Sequence, residues 1–186
     1  MKSIFTMLLL LALIAPAATT QAQKYATKTG TIRFYSEAPA ENIEAINKQV
    51  NSALDTQTGD FVFRVLMKGF QFEKALMQEH FNENYVESHK FPNASFAGKV
   101  SQDAGIDWKK DGVYETTVSG KLTIKGVSKD VSEKGTFTVK NGTVLGKSTF
   151  YINLADYKVE IPKTVMKNIA ETIEINVDVE LLPLNN

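Results

Sequence analysis

Phe70–Gly98, FQFEKALMQEHFNENYVESHKFPNASFAG, is the one substantial helical signal in a chain otherwise patterned for strands. Leu76, Met77, His80, Phe81 and Tyr85 recur at helical spacing, while Glu73, Lys74, Glu79, Glu83 and Glu87 fill most of the other face. Pro92 marks the exit, because the residue before a proline is pushed towards extended geometry. A lone amphipathic helix among strands has to lay its apolar stripe on their sheet. The expectation is an all-β protein, an eight-stranded antiparallel β-barrel, with this one inserted α-helix (Glu73–Ser88) covering a mouth.

Working outward, the segments on both sides alternate with a period of two. Upstream lie Thr31–Ser36, Ile46–Leu54 and Phe61–Phe70, the last two joined by the turn Asp55–Asp60. Pro39 interrupts the first pair, and Ala40–Ile46 is expected to form one or two helical turns. Downstream lie Ala94–Ser101, Val113–Lys125, Lys129–Lys140 and Thr143–Leu154, with a bend at Gly126 and the hairpin signal Asn141-Gly142. A loop through Pro162 and a helical turn around Thr164–Asn168 lead to the last strand. There Ile173, Ile175, Val177, Val179 and Leu181 alternate with Glu174, Asn176, Asp178 and Glu180. One apolar face per strand fits a two-sheet sandwich as well as a barrel. The long uninterrupted strands favour the barrel.

The 186 residues carry a formal net charge of zero and no cysteine. Charge balance argues against nucleic acid and gives no reason for strong attraction to an anionic membrane. The lack of cysteine removes thiol chemistry, thiolate metal sites and disulfides together. Lys2, the apolar run Ile4–Ile14, Pro16 and the small residues Thr20 and Ala22 read as a secretory signal peptide, residues 1–22, cut after Ala22. The run is shorter than the roughly 20 residues that cross a bilayer. Residues 23–186 then form one domain with no integral membrane segment, periplasmic or secreted.

Catalysis finds little support. There is no G-x-S-x-G elbow, H-E-x-x-H, P-loop or dinucleotide fingerprint, and acids such as Asp55 with Asp60, or Asp156 with Glu160, sit in turns. His80 and His89, with the glutamates between them, are nine residues apart and miss the i, i+4 spacing that brings two imidazoles to one metal. No enzyme activity, metal or cofactor is expected. Lys121, Lys125, Lys129 and Arg33 read as an exposed strand face.

The order of motifs is more specific than any one of them. Phe34-Tyr35-Ser36 is followed by the Asp55–Gly59 turn, Met77-Gln78-Glu79-His80 and Phe91-Pro92-Asn93-Ala94-Ser95-Phe96. Gly120-Lys121-Leu122-Thr123-Ile124-Lys125-Gly126-Val127-Ser128-Lys129 comes last. Over nearly the whole mature chain this succession resembles the YceI-like family of exported bacterial proteins. The resemblance implies a lipocalin-like barrel whose pore holds a polyisoprenoid or another long-chain lipid. A homodimer is an admissible assembly. It also implies a tunnel wall made of Phe34, Phe61, Phe63, Met67, Phe72, Met77, Phe81, Tyr85, Phe96, Phe137, Phe150 and Ile152. The residues alone favour the plainer reading, that these side chains fill a packed core. A structural or protein-interaction β-domain is therefore the alternative function.

Overall fold

Nine antiparallel strands make up most of a computed structural model that describes residues 23–184; residues 1–22, where a signal peptide is expected, and the last two residues lie outside the described residues. The strands are β1 (Lys24–Glu37), β2 (Asn42–Asp55), β3 (Asp60–Leu66), β4 (Gln71–Phe72), β5 (Asn93–Val100), β6 (Gly112–Ile124), β7 (Val127–Lys140), β8 (Thr143–Asn153) and β9 (Thr172–Pro183). Eight of them pair in the ring β1-β2-β3-β5-β6-β7-β8-β9, and the β1–β9 ladder closes it. The two-residue β4 is a spur on β2, with Ala45 opposite Phe72. This is a closed eight-stranded barrel, so every long strand finds two neighbours and no sandwich edge is left exposed.

Two hairpins are set by local chemistry. Lys125-Gly126 and Asn141-Gly142 each place both central residues at positive φ, between 48° and 76°, the geometry of a tight turn whose twist matches the strands it joins. Two other local expectations fail. No helical turn forms over Ala40–Ile46, because β2 already starts at Asn42, where it pairs with Glu37 and adds ladder hydrogen bonds that a helical turn would forgo. The strand drawn from Phe61 to Phe70 stops at Leu66, and Met67–Gly69 is a 3₁₀ turn. That turn is pinned by the buried Asn47, whose Nδ2 donates to Leu66 O at 2.8 Å.

The barrel has two unlike ends. At the closed end Tyr25, Leu54, Val100, Val139, Val144 and Leu181 are buried, and the Trp108 ring stacks edge-on over Phe137 at 5.3 Å. At the other end α1 (Ala75–His80) runs into a π-helical turn, Phe81–Tyr85. The helix is therefore shorter than the periodicity suggests, starting after Lys74 and ending before Val86. Its anchors are Phe81 and the buried Val86; Leu76 points out and is 61% exposed. Facing it is a second cover, the loop Leu154–Glu171, pinched at its base by Leu154 N donating to Glu171 O at 2.9 Å. Tyr157 and Val159 root this loop in the barrel. It occupies the space left where β7 and β8 part, since those strands pair only from Thr136–Lys147 to Lys140–Thr143.

Candidate functional site

The inner faces of the strands define an apolar hollow in the half of the barrel beneath the two covers. Its outer chamber has a volume of about 460 Å³ and a smaller inner chamber about 110 Å³. Both are bounded by Ile32, Val65, Ala94, Leu122 and Phe150, which together form the throat between them. Register explains the alignment: Val65 lies opposite Ala94 and Phe63 opposite Phe96, so residues of one parity converge on the axis.

Of the twelve side chains assigned to the wall from sequence, Phe34, Met67, Phe72, Met77, Phe81, Tyr85 and Ile152 border the outer chamber. Phe61, Phe63, Phe96 and Phe137 border the inner one, and Phe150 borders both. The two sets pack differently. Phe34, Phe70, Phe72 and Phe81 form a ring cluster with centroids 5.1–5.7 Å apart, which seats α1 on β1. Phe61 touches Phe63 at 4.6 Å and Phe137 at 5.5 Å, so the inner aromatics double as the top of the packed closed end. Thus the barrel is filled over one half of its length and hollow over the other.

Sequence reasoning missed three groups of wall residues. Ile32, Val65, Ile173 and Ile175 share the parity of the predicted positions and were legible as strand interiors. Ala94 carries no periodic signal because it is small. Val159, Val165 and Ile169 come from a loop, where no periodicity assigns a side to a residue.

A glycine pair shapes the inner chamber. Gly98 and Gly120 face each other across β5 and β6. A Cβ on Gly98 would collide with Ser119 O and Phe96 Cζ, and would come within 2.8 Å of Gly120 Cα. The missing side chains let the Phe96 ring lie flat over the strand pair.

Polar groups of the outer chamber gather at the rim, where Ser36, Glu41, Lys74, His80 and Asn168 border it. In the inner chamber Glu133 shares the inward parity of Val131 and Phe137, and burial raises its carboxyl above the ordinary glutamate value. Glu41 joins the two covers. Its Oε1 accepts from Lys74 Nζ at 2.6 Å, just before α1, and its Oε2 accepts from Asn168 Nδ2 at 3.4 Å on the loop. The Lys74 ammonium, helped by Asn168, holds the Glu41 carboxyl below the ordinary glutamate value. Ala40 N to Lys167 O and Ala170 N to Ser36 Oγ, both 2.9 Å, complete the seam. On the far side of α1, Glu87 accepts from Lys90 and Lys125, and these two cations draw its carboxyl down to about 2. Among the described residues no three His, Asp or Glu side chains converge as a metal site, and no helix is long and apolar enough to cross a membrane. Such a wall can solvate a long apolar chain, with the half-buried Glu133 carboxyl the one acidic group bordering the inner chamber among the described residues.

The model of the YceI-like domain family matches residues 18–181. Among curated proteins none matches. Solved structures share the fold. A polyisoprenoid-binding domain from Saccharophagus degradans, implicated in plant cell wall breakdown, superposes with a TM-score of 0.75 at 12% identity, covering 88% of this chain and 100% of that one. BcnA of Burkholderia cenocepacia gives 0.68 at 16%, covering 82% and 95%. The YCEI protein of Campylobacter jejuni gives 0.58 at 18%, covering 75% and 84%.

Proposed function

This chain belongs to the YceI-like family, and on that premise we propose that it is an exported lipid carrier that holds a polyisoprenoid or similar long-chain amphiphile in the barrel. The observation that carries this reading is the largely apolar hollow itself, two adjoining chambers that share the wall residues Ile32, Val65, Ala94, Leu122 and Phe150, roofed by the two covers. A long flexible chain asks for uninterrupted apolar wall and little else, and gains about 0.8 kcal/mol for each methylene transferred from water. Met67 and Met77 add adaptable surface to that wall. At roughly 25 Å³ per carbon, the packing implied by benzene in a cavity of about 150 Å³, the two chambers take roughly twenty carbons. A longer isoprenoid would extend past the rim between the covers. The mechanism is sequestration by partition, with the covers moving to admit the chain. The polar rim at Glu41, Lys74 and Asn168 suits the head of an amphiphile. The resemblance of residues 1–22 to a signal peptide supports a periplasmic or secreted location.

The test is native mass spectrometry, with solvent extraction, of protein purified from a bacterial host. An adduct that extracts as a lipid is the expected result. Bare polypeptide that also fails to bind a fluorescent fatty chain refutes the reading and leaves the β-domain alternative, for which the packed closed end already speaks.

A further inference from the structure

One side chain of the hollow does not suit a purely hydrocarbon cargo. Glu133, on β7, borders the inner chamber opposite Val118 of β6. Burial is what raises its carboxyl, and no neighbouring cation offsets the rise. Lys147 also borders the chamber, but its ammonium pairs with the exposed Asp178 at 2.9 Å. Glu133 stands where β7 and β8 part, since the last ladder pair on that side is Thr136 with Lys147. Beyond that pair Ser148, which borders the same chamber, donates its Oγ proton to Lys134 O at 2.6 Å. The Ser148 oxygen is thereby left able only to accept. The Glu133 carboxyl has no hydrogen-bond partner among the described residues. A polar group so placed disfavours a guest that gives it nothing to bond and favours one that does.

We propose that Glu133 determines which chain end the inner chamber accepts, hydrogen-bonding a hydroxyl at the far tip of a ligand whose head stays at the rim. The inference rests on the carrier reading and narrows its ligand class, from a plain hydrocarbon tail to a chain oxygenated at both ends. A hydroxyl fits because it donates and accepts at once: Glu133 can take either part, and Ser148 Oγ accepts. An anionic tip would meet a second acid in apolar surroundings, with no cation beside it. An ammonium tip would bring three donors and a full charge to a single carboxyl. A chain with only one polar end leaves that end at the rim, where water and the groups of Glu41, Lys74 and Asn168 reach it. Simple chains therefore measure the length of the hollow, and Glu133 reads the tip.

Displacement of a fluorescent fatty chain by icosanoate and by 20-hydroxyicosanoate tests the tip. Both carry the same carboxylate head and are long enough to fill the two chambers; they differ only at the far end. The ratio of their affinities is the readout, so a small general change in packing cancels. Glu133→Leu should shift that ratio about tenfold against the hydroxy acid, the effect of one lost hydrogen bond to a buried hydroxyl. Glu133→Gln, which still donates and accepts, should keep the ratio of the parent. Dodecanoate and 12-hydroxydodecanoate stop short of the inner chamber, so their ratio should be the same in all three proteins. A twenty-carbon ratio unmoved by Glu133→Leu overturns the proposal and turns the carboxyl to solvent between the parted strands. A Glu133→Gln variant that loses as much as Glu133→Leu, or a twelve-carbon ratio that shifts equally, also overturns it. Failure of the carrier reading is distinct: the parent then binds neither the fluorescent chain nor icosanoate.

Discussion

Ala94→Phe tests the continuity of the hollow. Ala94 stands at the throat, opposite Val65 on the neighbouring strand, and borders both chambers. A phenyl ring there projects into the void and seals the inner 110 Å³ from the mouth. That volume takes about four carbons at the density of benzene in a protein cavity of about 150 Å³. At about 0.8 kcal/mol per methylene the lost burial is about 3 kcal/mol, or roughly two orders of magnitude in dissociation constant for a ligand long enough to reach it. The assay is displacement of a fluorescent fatty chain by a homologous series of straight-chain alcohols. For the parent, affinity should rise about fourfold per methylene and level off near twenty carbons. For Ala94→Phe it should level off about four carbons sooner, with shorter chains bound as before. Ala97→Phe, on the outer face of the same strand, should leave the profile intact. The ring enters empty space, so thermal stability should not fall. A plateau at the same chain length in Ala94→Phe and the parent would show that the chain does not pass the throat, and the tunnel reasoning would fail.

Three further outcomes are expected. Glu87 has a folded-state value drawn down to about 2 by Lys90 and Lys125, so its contribution is fully present above the ordinary glutamate value and disappears as pH falls towards 2. The melting-temperature gap between the parent and Glu87→Gln should therefore be constant at neutral pH and close in acid; a gap that widens in acid contradicts the assignment. Gly120→Ala would drive a Cβ into Ala97 O and Gly98 Cα, and should cost about 3 kcal/mol, seen as a drop of about 10 °C in melting temperature. Glu41→Gln removes the charge that joins both covers, so amide exchange in Ala75–His80 and in residues 163–170 should quicken together by a few fold, with the closed end unaffected. Acceleration in one cover alone would show that the covers are not coupled through Glu41.

The sequence by itself determined the strands and their inner faces. Side-chain period is a local property, so Ile173, Ile175, Val177, Val179 and Leu181 announce an inner face before any partner strand is known. The Asn141-Gly142 turn is equally local, because positive φ at two successive residues selects those residue types. The order of motifs along the chain added the family. What periodicity could not reach was volume. The same alternation describes a filled barrel and a hollow one, because whether Phe61 meets Phe137 across the axis depends on strand tilt, closure and glycine placement far apart in the chain. Only the tertiary structure decided that one half packs and the other stays open. It alone made a cover of Leu154–Glu171, whose irregular backbone carries no repeat to read, and it shortened the helix to what Phe81 and Val86 can anchor.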